Sequence, residues 1–230
     1  MDKINYGIIC ALKEEAEGII SNIKDKKECD LFGITYNCGT INNKSIVVAV
    51  CGMGKVNAAI CAQTMIISFN PDVIINVGLG GSLDKTLKRG EVVIADKLVQ
   101  HDVDTSFIGD PVGDISGTGT IFFGTDKEIR DSIEKVIKEL DYSYRIGTIA
   151  SGDQFVCTKE AKDKIVSNFG AIVCEMEGAA IAHVCYTAGV KCAVLRYISD
   201  GADEDSNMDY YEFKKKAGEK TTHIIVNLIK

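Results

Sequence analysis

The chain is poor in the patterns that build metal centres and cross-linked frameworks. Its three histidines, His101, His183 and His223, lie far apart and form no HxH or HExxH spacing. No CxxC occurs among its nine cysteines, and an odd number cannot all pair within one chain. Neither a metal site nor a cofactor is expected. Cys10, Cys51, Cys61, Cys174 and Cys192 sit in apolar stretches, where a free thiol acts as a small hydrophobe suited to a reducing compartment. No apolar run approaches the ~20 residues of a membrane span. The opening Met-Asp-Lys-Ile-Asn-Tyr lacks a basic region followed by an apolar stretch, so no signal peptide and a cytoplasmic location are expected. Clustered basic charge is also missing. A formal charge of −7 speaks against a nucleic-acid partner, whose phosphates need grouped Lys and Arg.

What is present is enough for one core. The 230 residues are 46% hydrophobic, within reach of a single domain over 1–230. Short apolar runs read as strands at Tyr6–Ala11, Ser45–Cys51, Val73–Val77, Glu91–Leu98, Arg145–Ala150, Ala171–Cys174 and Lys191–Ile198. Runs this apolar, without strict alternation, suit strands covered on both faces. Helical segments separate several of them: Lys13–Ile20, Lys55–Phe69, Asp126–Leu140, Lys159–Phe169, Gly178–Ala188 and Tyr210–Ile229. In the third, Ile129, Ile133, Val136, Ile137 and Leu140 recur at i, i+4, i+7, i+8 and i+11, one face of a helix. The alternation implies a three-layer α/β/α sandwich around a central mixed, largely parallel sheet. The Gly- and Asp-rich stretch His101–Thr120, with Pro111, is too long for a plain connection; Phe107, Ile108 and Val112 suggest a lid or an interface.

In such sheets a ligand binds beyond the carboxyl ends of the strands. Those ends carry Glu14-Glu15, Gly52-Met53-Gly54-Lys55, Gly78-Leu79-Gly80-Gly81-Ser82, Ser151-Gly152-Asp153-Gln154-Phe155, Glu175-Met176-Glu177 and Ser199-Asp200. Singly, each has an ordinary explanation. Glu15 suits the first turn of a helix, Asp200 a turn or cap, and the glycines at 78, 80 and 81 either a close approach to a ligand or a packed turn. Gly52-x-Gly54-Lys55 lacks the spacing of a triphosphate loop. Together, several carboxylates at one edge suggest acid–base work on a neutral or cationic transition state.

The ordered set Gly7-Ile-Ile-x-Ala11 with Glu14-Glu15, Gly52-x-Gly-Lys-Val56, Pro71-Asp-Val-Ile-Ile-Asn76, Ser151-Gly-Asp-x-Phe155, Glu175-Met-Glu177 and Arg196-x-Ile-Ser-Asp200 resembles the 5′-methylthioadenosine/S-adenosylhomocysteine nucleosidases of the nucleoside phosphorylase superfamily. The resemblance spans nearly the whole chain. It implies hydrolysis of the N-glycosidic bond of adenine thionucleosides. It assigns protonation of the leaving adenine to Asp200, held by Ser199, binding of the ribose and its cation to Glu177, and activation of water to Glu15. Phe155 would stack on the base, Val156 read its edge through the backbone, and Met176 lie under the ribose beside Glu175. Arg196 would stand near the water, Met53 and Tyr210 would line the sugar or 5′ end, and Leu12 would meet the thioalkyl group. A homodimer is implied, with the 101–120 loop, through Phe107 or Ile108, at the partner's 5′ pocket.

One element departs from the family. Where its members commonly carry Ser or Thr followed by Ala-Gly-Gly, this chain has Leu79-Gly80-Gly81-Ser82. The missing hydroxyl implies another holder for the water. Three competing readings use the same residues: a nucleoside phosphorylase, which needs an anion pocket; a hydrolase of another purine nucleoside, such as inosine or futalosine; and a nucleoside-binding sensor, which needs neither Glu15 nor Asp200.

Overall fold

The computed structural model describes residues 4–200 and 206–230, without the side chains of residues 200, 206–213 and 215. One mixed sheet forms its middle layer. Five strands run β2 (Lys24–Leu31), β3 (Ile34–Ile41), β4 (Lys44–Val50), β1 (Tyr6–Cys10) and β5 (Val73–Ser82). Past β5 the sheet closes on itself. β5 pairs with both β10 (Lys191–Asp200) and β9 (Val173–Glu175), and β6 (Val92–Gln100) and β8 (Tyr144–Ser151) complete the ring between them. The short β7 (Phe123–Gly124) pairs with β6.

Continuous apolar runs mark the strands because both faces are covered. Ile9, Val47 and Ile74 join one core, and their neighbours Ile8, Val48 and Ile75 the other. The first core packs under α2 (Lys55–Phe69) and α5 (Gly178–Ala188), through Ala58, Cys61, Met65, Ala179 and Cys185. The second packs under α1 (Lys13–Ser21), α3 (Lys127–Glu139) and α6 (Ser206–Leu228), through Ala16, Ile19, Ile133, Ile137, Ala217 and Ile225. A third cluster joins α4 (Lys159–Phe169) to β6 and β8, with Ile165 and Phe169 on Val99 and Ala150. Each fully buried Ile or Phe contributes about 1.5–3 kcal/mol, so these faces fix where the strand ends lie. The three-layer α/β architecture expected from the sequence is the one observed.

The helix ends follow local chemistry. Asp126 caps α3 by accepting the Ile129 N–H, and Thr158 caps α4 through the Ala161 N–H. Asn70, Gly170 and Gly189 end α2, α4 and α5 in the left-handed conformation.

Two details differ from the sequence reading. β2 and β3 form a hairpin where no strand was expected, because Lys-Asp-Lys-Lys-Glu-Cys-Asp-Leu is largely exposed at the sheet edge and shows no apolar run. Charged edge strands of this kind resist pairing with other chains. Likewise β5 does not stop at Val77 but continues through Gly78–Ser82 as a strand, since β10 pairs along it from Lys191 to Asp200. The glycines are therefore strand residues where other groups approach closely.

Candidate active site

A cavity of about 240 Å³ opens beyond the carboxyl ends of the strands. Ala11 and Leu12 come from the end of β1, Met53 from that of β4, Leu79, Gly80 and Gly81 from β5, and Gln154, Phe155 and Val156 from the segment after β8. Cys174 and Glu175 belong to β9, Met176 and Glu177 follow it, Ser199 stands near the end of β10, and Glu15 reaches in from α1. Its wall is mostly apolar, and among the described residues lining it there is no Lys or Arg.

Glu15 is 2% exposed. Its Oε2 accepts the N–H groups of Ala11 and Leu12, and its Oε1 that of Leu79, each at 3.0 Å. At the third position of α1, it reaches back to the N-cap amide and satisfies the helix start. Burial pushes its carboxyl above the usual range, while the Leu12 and Leu79 amides and the Arg196 charge oppose that rise. A group so placed is oriented by three amides yet poised to take a proton.

Gly78 makes this approach possible. A Cβ there would stand 2.9 Å from Glu15 Oε1 and 3.2 Å from its carboxyl carbon. Gly78→Ala is expected to displace the carboxylate and lower kcat/KM by about 10²-fold, the scale of an ångström-sized misplacement. The comparison of kcat/KM with the melting temperature checks it: a variant with unaltered kcat/KM contradicts the stated importance of Glu15 placement.

Glu175 and Glu177 leave the same junction in different roles. Glu175 is held inward: its carboxylate accepts from Arg196, from the Ser151 hydroxyl, and from the amides of Glu177 and Gly178 at 2.9 and 2.8 Å. Burial would raise its pKa, but the Arg196 guanidinium, the Ser151 hydroxyl and these amides outweigh it and hold the group below the usual range. Glu177 has less support. Gly54 donates its N–H to Oε1 at 2.9 Å, and Arg196 stands 3.9 Å from Oε2. Burial, then the neighbouring Glu175 charge, lift its pKa to about 7, against the pull of Arg196.

Arg196 is fully buried and does not line the cavity. It is committed to Glu175 and to Asn76 Oδ1, the latter at 2.6 Å. One guanidinium thus stands among three described carboxylates, Glu15, Glu175 and Glu177, in an apolar setting. Such a site favours a ligand that becomes positive and repels an anion.

The structure brings Leu12, Glu15, Met53, Leu79, Gly81, Phe155, Val156, Glu175, Met176, Glu177 and Ser199 to one cavity. Phe155 is half exposed at its wall, and Met53 is exposed at its rim. Ser199 Oγ donates to the Gly80 carbonyl at 3.4 Å. Phe107 and Ile108 lie in a 3-10 turn, Ser106–Ile108, with Phe107 fully exposed and absent from this chain's cavity wall. Asp200 ends β10, with its backbone opposite Gly81; its side chain and that of Tyr210 lie outside the described residues. The sequence reading gave no binding role to Ala11, Gln154 or Cys174, which line the wall. All three adjoin residues already singled out, so proximity to a strand end was the available signal. Among the described residues, no group of three His, Cys, Asp or Glu is placed to hold a metal ion.

The phosphorylase superfamily model matches residues 5–230. An aminodeoxyfutalosine nucleosidase of Helicobacter pylori is 39% identical, covering 100% of this chain and 99% of that protein. A 5′-methylthioadenosine/S-adenosylhomocysteine nucleosidase of Staphylococcus haemolyticus is 36% identical, over 97% and 98%. Among solved structures, an Asp-to-Asn mutant of the Helicobacter pylori methylthioadenosine nucleosidase with 5′-methylthioadenosine in its active site superposes with a TM-score of 0.94, at 37% identity, covering 100% of this chain and 99% of that one.

Proposed function

The chain belongs to the phosphorylase superfamily, and we propose that it hydrolyses the N-glycosidic bond of 5′-methylthioadenosine and S-adenosylhomocysteine. Adenine and the thioribose product leave, the chemistry of methionine salvage and S-adenosylhomocysteine detoxification. The observation that carries this reading is the pairing of two buried carboxylates, Glu15 and Glu177, in a cavity whose described lining offers no cation for phosphate. A phosphorylase would need that cation; a hydrolase forming an oxocarbenium-like sugar needs the acids.

In the mechanism, Asp200 protonates the departing purine at N7, which lets it leave as a neutral molecule. Glu177 accepts the ribose hydroxyls and stabilises positive charge as the bond breaks. Glu15 takes the proton of the attacking water, oriented by the amides of Ala11, Leu12 and Leu79. The Leu79 amide would bind Glu15 whatever side chain stood at that position, so base placement survives the loss of the hydroxyl. Phe155 stacks on the base, Val156 reads its edge, Met176 lies beneath the ribose, and Leu12 and Met53 meet the 5′ group.

The protein acts as a homodimer in this reading. The exposed Phe107 and Ile108, with Met53, Val56 and Ile60 at the start and outer side of α2, supply apolar surface for a second copy, whose loop would close the 5′ end. Nine free cysteines support a cytoplasmic setting, and no helix among the described residues is long and apolar enough to cross a membrane.

The second reading is an aminodeoxyfutalosine hydrolase, favoured by the name of the 39% identical Helicobacter pylori relative. The two readings share the bond broken and differ in the group beyond the 5′ carbon. Chromatography of products from methylthioadenosine, S-adenosylhomocysteine, aminodeoxyfutalosine and inosine separates them. Preferred adenine release from the two thionucleosides is expected. A kcat/KM tenfold higher for aminodeoxyfutalosine would move the assignment to the second reading.

The acid limb of kcat/KM follows from Glu177. Sugar binding uses its carboxylate form, so kcat/KM is expected to rise with pH through about 7. The same group makes the fold less stable as pH rises from 4.5 to about 7, because the folded state holds the proton more tightly than the unfolded chain. A profile already flat from pH 5 upward would contradict the placement of Glu177.

A further inference from the structure

We propose that Lys55, Asp102 and Asp153 form a closed positioning circuit that holds the Gly54 amide on Glu177 and thereby supports glycosidic cleavage. The inference rests on the nucleosidase reading of Glu177. None of the three residues lines the cavity, so each acts through others.

The circuit has three links. Lys55 Nζ meets Asp102 Oδ1 at 2.6 Å. Asp102 Oδ2 accepts the Asp153 N–H at 2.9 Å. Asp153 Oδ1 accepts the Lys55 N–H at 2.7 Å and so returns to the first residue. Each link joins segments distant in sequence: the entry to α2, the root of the 101–120 loop and the segment after β8. The ion pair is sheltered, with side-chain exposures of 16% and 15%, where charge pairing is stronger than at an open surface.

The geometry gives the circuit one output. Gly54 is the N-cap of α2 and offers no side chain to satisfy the helix start, so Asp153 supplies the acceptor from another loop. That fixes the Gly54–Lys55 peptide. With φ at +96°, Gly54 turns its own N–H onto Glu177 Oε1 at 2.9 Å. A Cβ at Gly54 would lie 3.0 Å from Asp153 Oδ1, which shows how closely the two loops meet. The neighbours extend the support. Lys55 Nζ also reaches Gln100 Oε1 at 3.2 Å, and the Gln100 amide faces His183 Nδ1 at 3.4 Å. Met53 and Gln154–Val156, which line the cavity, flank the linked residues on either side, so the same links hold its sugar and base walls together.

Among the described residues, few charges face this assembly. Glu177 is met by Glu175, Arg196 and Glu15, and Asp102 by Lys55 and His101. Burial would raise the Asp102 carboxyl, but the Lys55 ammonium and the Asp153 amide outweigh it and hold the group below its usual value. The circuit joins three segments through fixed donors and acceptors. It holds one geometry, and loosening it removes an amide that favours the carboxylate form of Glu177.

The test compares Asp102→Asn, Lys55→Met and their double variant with the unaltered protein. The readouts are the kcat and KM for methylthioadenosine, the pH profile and hydrogen exchange of the Gly54 amide. Each single variant is expected to lose about 10- to 100-fold in kcat, the scale of a hydrogen bond to a charged group. The acid limb of kcat/KM should move to higher pH, the Gly54 amide should exchange faster, and the double variant should be no worse than the poorer single one. Lys55→Arg should restore most of the rate. Loss of rate with an unmoved acid limb and unaltered Gly54 exchange would reduce the three residues to fold support and overturn the proposal. If Asp102→Asn does not fold, Asp153→Asn gives the same readouts. Absence of adenine release by the unaltered protein would defeat the nucleosidase reading instead, and Gly54 exchange would still test the circuit.

Discussion

Glu15→Gln is expected to lower kcat by about 10²- to 10⁴-fold, the range attributed to a positioned general base. The substitution keeps the length of the side chain and removes its ability to take a proton. It also disturbs a tight arrangement. Glu15 accepts three amide N–H groups at 3.0 Å, two on Oε2 and one on Oε1. A Gln amide offers one acceptor oxygen, so its NH₂ must face a donor. An unsatisfied buried donor costs about 1–3 kcal/mol. Against that, neutral Gln escapes the burial penalty that raises the Glu15 pKa and removes a charge that repels Glu177, although it also loses the attraction of Arg196. A folded but nearly inactive enzyme, with analogue binding retained, is the expected result. Steady-state kinetics with an adenine assay checks it; more than a tenth of the original kcat would remove Glu15 from the base role.

Asp200→Asn is the second large effect. Cleavage would otherwise expel an adenine anion, and protonation at N7 removes that difficulty, so loss of the acid should cost about 10²- to 10⁴-fold in kcat. Binding should persist, because Phe155, Val156 and Met176 supply the apolar contact and backbone edge for the base and sugar. The substrate should therefore accumulate on the variant. The backbone supports the position: residue 200 ends β10 beside Gly81, a cavity residue, and follows Ser199, which also lines the wall. Single-turnover measurements separate binding from chemistry. Full turnover by Asp200→Asn would contradict the acid assignment.

The strands and their ends were legible because both sheet faces are buried. Continuous runs such as Ile46–Ala49 leave little alternative to a covered strand, and ligands gather beyond such strand ends. Glu15, Glu177 and Ser199 followed from that rule together with the ordered motifs. The β2–β3 hairpin was not legible, since an exposed edge strand needs no apolar alternation; its markers are turn residues, Phe32-Gly33 and Asn42-Asn43, with positive φ. Gly78–Ser82 was read as lying beyond the end of its strand, with glycines for close approach to a ligand or for a packed turn. Close approach by Glu15 at Gly78 and by Val173 at Gly80 requires glycine there instead.

Function at the water end depended on information no residue pattern carries. Leu79 removes a hydroxyl, but its backbone amide holds Glu15. Arg196, expected beside the water, is sequestered by Glu175 and Asn76 and balances the charge of the carboxylates from behind the wall. The Lys55–Asp102–Asp153 circuit escaped the sequence reading for a similar reason: its members are separated by 47 and 98 positions, and each alone is an ordinary polar residue near a loop.

The central claim is that water, not phosphate, attacks the sugar. The most direct measurement follows adenine release from 5′-methylthioadenosine in phosphate-free buffer and again with millimolar phosphate, identifying the sugar product in each. The carboxylate-rich cavity predicts equal rates and the free thioribose in both. A rate that depends on phosphate, with a sugar 1-phosphate as product, would contradict it.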